Sequence, residues 1–307
     1  MNDVSQAVTI LRNGGLVAIP TETVYGLGAD ARNDAALRKI FQAKQRPIDH
    51  PLIVHVADMT QLAEWVSEVP PMAKQLAQAF WPGPLTLIFK KAAKVSNLVT
   101  GGQETVGIRI PSHPVALELL KAYGGGLAAP SANRYGRISP TTSEAVREEL
   151  GDAVDMVLEG GQCEVGLEST IVDVSGEQPV VLRPGMITTT EIEAVLHQMV
   201  SKQKKDAPRV SGSHESHYAP VTTTHLMTTE QLVKLTLTEK DGVIGFAKSQ
   251  SPATSIVMSS NPKVYAHDLY QALRDLDKRK LSQIIIERVP EGGEWDAIRD
   301  RLQRAAS

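Results

Sequence analysis

Apolar positions along the first two thirds of the chain follow two alternating rhythms. Residues 4–12 place Val4, Ala7, Val8 and Leu11 at helical spacing and stop at Asn13-Gly14-Gly15, residues that tolerate the left-handed backbone of a helix end. Short runs rich in β-branched residues follow at 16–19, 52–56, 85–89, 106–110, 127–129, 154–158, 170–174 and 180–182, each reading as a buried strand. Helical patterns lie between several of them, at 34–44, 58–66, 71–80, 113–122, 143–150 and 189–199. This alternation predicts an α/β fold built on a twisted mixed parallel/antiparallel sheet.

The rhythm breaks at about 200–220, where Ser201-Lys202-Gln203-Lys204-Lys205-Asp206-Ala207-Pro208 and Val210-Ser211-Gly212-Ser213-His214 hold few core-forming residues. It resumes with strands near 221–226, 242–247, 254–258 and 283–287 and helices near 229–236, 264–280 and 294–305, the pattern of a second, smaller Rossmann-like α/β domain. The expected organisation is a main domain over 1–200, a linker over 201–220 and a second domain over 221–307. A length of 307 residues also favours two domains.

Composition narrows the function more by exclusion than by suggestion. Hydrophobic residues at 42% leave ample material for a core, and a formal charge of −3 provides no global basic field for blanket nucleic-acid binding. The single cysteine, Cys163, excludes an internal disulfide framework and a multi-cysteine zinc site, which fits a reducing cytosol. No run approaches the ~20 apolar residues that cross a bilayer, so the expected location is cytoplasmic. Phosphate-loop, nucleophile-elbow and zincin motifs are absent, and His214 and His217, the closest histidine pair, are too little for a metal site, so no metal ligand is predicted among the side chains.

Several segments place chemistry where a sheet would end. Pro20-Thr21-Glu22-Thr23-Val24-Tyr25-Gly26-Leu27-Gly28 reads as a turn that combines hydroxyls, a carboxylate and glycines, or as a plain connection to the next helix. Gly26, Gly28 and Ala31 fit a loose dinucleotide pattern, but too far from the strand and without the acidic residue that should follow, so that reading is rejected. Lys44 and Arg46, before two prolines, suit a polyphosphate, although cations at a helix end also complement its dipole. His55 lies in an apolar strand, where a satisfied core histidine would serve as well. Strand periodicity puts Thr105 and Arg109 on one face, and Ala129-Pro130-Ser131-Ala132-Asn133 with Arg134, Arg137 and Ser139 describes either an anion pocket or a capping loop. Glu168-Ser169-Thr170 and Arg183 mark two further strand ends. From the residues alone this is a cationic, hydroxyl-lined cleft for a nucleotide or another polyanion, and the substrate does not follow.

Read in order, PTETVYGLG (20–28), KQRPIDHPLIVHV (44–56), WPGPLT (81–86), VGIRIPSHPVA (106–116), LAAPSAN (127–133), ISPT (138–141), GLESTIVD (166–173) and LRPG (182–185) resemble the YrdC/Sua5 family. The segments SGSHESHYAP (211–220), LYQALRDLD (269–277) and WDAIRDRLQRAA (295–306) are similar to the longer, two-domain branch. The resemblance implies a YrdC-like sheet with a concave, positively charged site covered by the linker. It implies a nucleotidyltransferase that joins L-threonine, bicarbonate and ATP into threonylcarbamoyl-adenylate, with Mg²⁺ accompanying ATP. The product would pass to a tRNA threonylcarbamoyl-transferase complex, with weak RNA binding also within the family's range.

Carried over by motif, Thr23, His55, Arg109, Ala129 and Thr170 look like the threonine and bicarbonate side. Arg46, His50, Thr105, Ser131, Asn133, Ser139, Arg183 and the linker residue Tyr218 look like the ATP side, and Lys44 and Arg46 like the catalytic cations. His50 stands where relatives often carry Asn, and Ser211-Gly212 where many show Ser-Pro-Gly.

Overall fold

The computed structural model describes residues 3–202, 207–212, 218–248 and 252–307. Within them the first rhythm of the sequence becomes one mixed sheet. Its strands are β1 Val17–Ile19, β2 Gly26–Asp30, β3 Ile53–His55, β4 Leu85–Lys90, β5 Thr105–Arg109, β6 Leu127–Ala128, β7 Met156–Val157, β8 Thr170–Asp173, β9 Val180–Arg183 and β10 Ser201–Lys202. They are ordered β10-β9-β8-β4-β5-β3-β6-β2-β1-β7. The central pair β3/β5 is parallel and places His55 beside Arg109 in register, while β4/β5 and β2/β6 are antiparallel. The strands are buried almost throughout because helices cover them. Asp34–Lys44, capped by the Asn33 side chain, buries Leu37, Ile40 and Phe41. Pro114–Tyr123 begins at a proline and ends at Gly124 with φ +74°, where glycine meets no steric penalty.

Two strands escaped the sequence pattern. β2 runs through what reads as a turn, because its glycines lack the β-branched signature of a strand. They leave room for close neighbours, since a Cβ at Gly28 would lie 2.4 Å from Ile19 Cδ1 on the neighbouring strand and displace that side chain. β10 falls inside the expected linker, yet it pairs in parallel with β9 at the sheet edge. The expected linker therefore starts two residues inside the sheet. Its segments 203–206 and 213–217, including His214 and His217, lie outside the described residues.

The second sheet, β11 Thr224–Met227, β12 Asp241–Gly245, β13 Thr254–Val257 and β14 Gln283–Glu287, is ordered β11-β14-β12-β13 and is parallel throughout. Helices Pro262–Asp277 and Asp296–Ala305 pack on it. Its apolar core also takes in Val24, Ile138 and Leu167, from loops of the first sheet, and Tyr218 of the linker. Gly166, at φ +79°, lets the chain come so close to the longer helix that a Cβ would meet His267 Cα at 2.6 Å. The two sheets thus share an apolar cluster, and that cluster reaches the loops that carry the candidate site.

Candidate active site

The ends of β1, β3, β5, β6, β8 and β9 converge on one cavity lined by Thr21, Thr23, Val24, Gly26, Arg46, Ile53, His55, Arg109, Ala129, Pro130, Ser131, Glu168, Ser169, Arg183, Ser211, Gly212 and Tyr218. On one side Arg109 is fixed by three partners. It donates to Thr23 Oγ1 at 2.8 Å and Gly83 O at 3.3 Å, and pairs with Glu22 at 2.7 Å. Thr23 is in turn set by Thr21, whose hydroxyl lies 2.9 Å away and donates to Val24 O at 2.6 Å. Burial first, and then the Arg109 cation, pull the His55 imidazole down to a pKa of about 3, so it stays neutral at physiological pH.

The opposite side holds two arginines and the linker. Arg46 Nη2 donates to Pro51 O at 3.0 Å and Ser211 Oγ at 3.2 Å, and its buried Nε has no hydrogen-bond partner among the described residues. Burial lowers its pKa to about 10, which leaves it charged at neutral pH. Arg183 donates to Ser169 O from Nε at 3.1 Å and from Nη2 at 2.9 Å, and to Ser211 O from Nη1 at 2.9 Å. Ser211 therefore bridges the two arginines, and Gly212 and Tyr218 close the cavity beside it. The enclosed space is about 40 Å³, enough for water but not for a nucleotide.

Residues 9–185 match the Sua5/YciO/YrdC family, described as telomere recombination, and residues 187–307 match the C-terminal domain of threonylcarbamoyl-AMP synthase. The chain belongs to the Sua5/YciO/YrdC family. It is 38% identical to the threonylcarbamoyl-AMP synthase of Pyrococcus abyssi, over 98% of this chain and 93% of that one. It is 41% identical to the synthase of Bacillus subtilis, over 99% and 92%. The crystal structure of P. abyssi Sua5 complexed with L-threonine superposes with a TM-score of 0.93 at 36% identity, covering 99% of this chain and 94% of that one. The α/β architecture with a mixed sheet and a second, parallel-sheet domain is thus that of the two-domain branch.

Of the residues that the family resemblance singles out, Thr23, Arg46, His55, Arg109, Ala129, Ser131, Arg183 and Tyr218 line the cavity. Lys44 does not. It is 1% exposed, and its ammonium donates to Ser131 O and Asn133 O behind the wall, so it shapes the loop and cannot contact a ligand directly from there. Asn133 is also behind the wall, its amide donating to Arg134 O and Arg137 O. Thr170 turns its hydroxyl to Ile187 O at 2.8 Å, and Ser139 donates to Glu168 at 2.6 Å. His50 packs edge-on against Tyr135, with ring centroids 5.2 Å apart, outside the cavity lining. Thr105 lies on the same strand face as Arg109 but lines a smaller neighbouring cavity, which shares only Ile53 and Ser211 with the first.

Sequence reasoning gave no role to Ser211, nor to Tyr270 and Arg301, which approach the site from the second domain. All three lie within the quoted motifs, but nothing local marks a tyrosine or an arginine on an amphipathic helix as reaching the wall of a distant pocket.

Among the described residues, no set of side chains is placed to hold Mg²⁺. No cluster of three or more acidic, histidine or cysteine side chains occurs among the described residues, and both oxygens of Glu168, the one carboxylate lining the cavity, already accept hydrogen bonds. No helix among the described residues is long and apolar enough to cross a membrane.

Proposed function

We propose that this chain makes L-threonylcarbamoyladenylate from L-threonine, bicarbonate and ATP, releasing pyrophosphate and water. One observation carries the reading. A single cavity sets a neutral histidine and a clamped arginine opposite two further arginines, in a chain that matches, nearly end to end, a threonine-bound relative.

The reaction needs such a site. Threonine's amine and bicarbonate combine to a carbamate, and a carbamate oxygen then attacks the α-phosphate of ATP while pyrophosphate leaves. Both partners are anions, so the barrier falls when fixed cations offset their repulsion, and no covalent nucleophile is required. In this reading Arg109, Thr23 and neutral His55 orient threonine and the carbamate, while Arg46 and Arg183 take the phosphates in place of Ser211. In the same reading Mg²⁺ accompanies ATP as part of the Mg·ATP substrate.

The cavity is too small for ATP while Ser211, Gly212 and Tyr218 occupy its mouth, so the linker opens for entry and closes again. Closure excludes water from a carbamate that hydrolyses readily. The product is an activated acyl-adenylate, suited to an enzyme that modifies the adenosine next to the anticodon of tRNAs reading codons that begin with A, in the cytoplasm. A main domain over 1–200, a lid within 201–220 and a second domain over 221–307 remain the working division of the chain.

Pyrophosphate release from ATP, with threonine and bicarbonate each supplied or withheld, tests the reading. Release requiring both, and strongly reduced at low ATP in Arg46→Ala, is expected. Nucleotide or RNA binding without release would replace it with a binding module.

A further inference from the structure

Arg301 belongs to the last helix of the second domain, yet its wholly buried guanidinium reaches the wall of the cavity. Its Nε donates to Glu168 Oε2 at 2.8 Å, and its Nη1 donates to Pro184 O at 3.2 Å and to Asp300 Oδ2 at 2.6 Å. Tyr270, from the helix Pro262–Asp277, donates to the same Glu168 carboxylate at 2.9 Å. Both residues also hold the linker: the Arg301 guanidinium sits 5.1 Å from the centroid of the Tyr218 ring, and the Tyr270 ring stacks on Tyr218 at 5.9 Å.

Glu168 is the problem this arrangement solves. A carboxylate in the wall of a cavity that takes a triphosphate repels the ligand, and it competes for Arg183, a cation of the same cavity lining that acts on it electrostatically. Arg301 offsets that charge from behind the wall. Among the described residues Arg183 is hydrogen-bonded only to neutral groups, Ser169 and Ser211, which a phosphate can displace.

Resting on the synthase reading, we infer that Arg301 and Tyr270 are positioning residues through which the second domain sets the nucleotide affinity of the site, by holding the Glu168 charge away from the phosphates and anchoring Tyr218 at the lid's end. The threonine side, built from Thr23, His55 and Arg109 on the first sheet, is outside their reach. This gives the second domain a role in the reaction rather than a merely appended place in the chain.

The test measures Michaelis constants for ATP and threonine, calorimetric binding of a non-hydrolysable ATP analogue, and melting temperature, for the wild type and three variants. Arg301→Met is expected to raise the ATP constant about tenfold or more, the usual scale for a lost charged hydrogen bond, with the threonine constant within about twofold. Adding Glu168→Gln to Arg301→Met should restore most of the ATP affinity, because the uncompensated charge is then gone. Tyr270→Phe removes one hydroxyl and should raise the ATP constant about threefold without lowering the melting temperature much.

The inference is overturned if the ATP and threonine constants rise together in step with lost stability, or if the double variant binds ATP no better than Arg301→Met. Should Arg301→Met fail to fold, Tyr270→Phe decides alone, and an unchanged ATP constant there overturns it. Wild-type pyrophosphate release that ignores threonine and bicarbonate would sink the synthase reading instead, and the analogue titration would still report on Arg301 and Tyr270.

Discussion

His55 and Arg109 stand side by side in register on the parallel strands β3 and β5, and burial, with the arginine's charge added to it, holds the histidine neutral. Burial is the larger cause and the cation adds to it, so the folded-state pKa is about 3 against an ordinary 6.5. The unfolded chain therefore binds this proton more tightly, and stability is lost as pH falls from 6.5 towards 3, with no further loss below that from this group. The full effect is on the order of 4 kcal/mol. Denaturant titrations at several pH values should show a shallower acid loss in His55→Gln than in the wild type. Parallel curves would mean that the imidazole is protonated in the folded protein.

Gly212 and Tyr218 form the tightest contact of the lid. A Cβ at Gly212 would lie 2.0 Å from the Tyr218 hydroxyl oxygen, and the residue sits at φ +83°, where a side chain is strained. Gly212→Ala is expected to displace the lid and lower kcat/KM for ATP by about tenfold, the scale of 1–2 kcal/mol of left-handed strain. Melting temperature should fall as well, because Tyr218, which the added methyl group displaces, belongs to the second core. Wild-type kinetics in this variant would show that the lid's closed path is not needed for turnover.

The arginines should separate kinetically. Arg46→Ala removes a cation on the phosphate side and is expected to raise the ATP constant roughly 10- to 100-fold while changing that for threonine little. Glu22→Gln keeps Arg109 in place but weakens its clamp, and should raise the threonine constant about fivefold with ATP unaffected. Steady-state titration of each substrate checks both. Interchanged effects would reverse the two sides of the cavity.

How far the sequence could be read depended on whether the signal was local. Helix Asp34–Lys44 was legible to the residue, since its cap, apolar stripe and terminal cation all lie within the segment. The local patterns around Arg46, His55 and Arg109 left their roles open, the resemblance singled them out, and the structure puts all three in the cavity lining. β2 was not legible, because its glycines answer to Ile19 on β1 and to Ala129 just after β6 rather than to their neighbours in sequence. Thr170 and Ser139 were singled out through the resemblance, but their hydroxyls turn to Ile187 and Glu168, a choice that only the packed structure makes. Arg301 is the extreme case. It is 133 residues from its carboxylate partner, and its place on an amphipathic helix suggests an ordinary solvated cation.

Lys44 provides the sharpest separation between shaping the site and performing the reaction. Its ammonium donates to two carbonyls of the Ser131–Asn133 loop, and burial, then the neighbouring Arg46 cation, pull its pKa well below 10.5. The lowered value means that the unfolded chain holds this proton more tightly, so the lysine's contribution to stability rises with pH until 10.5. Even as a neutral amine it keeps two N–H groups for the two carbonyls. Lys44→Met leaves both carbonyls unpaired and should cost about 2–4 kcal/mol, with the alkaline gain in stability abolished. The folded fraction should nevertheless turn over within about tenfold of the wild type, whereas removing a group that transfers a proton in the reaction costs roughly 10²–10⁴. Equilibrium unfolding and active-site-normalised pyrophosphate release distinguish the two, and a thousandfold loss of turnover in well-folded Lys44→Met would return this lysine to the chemistry.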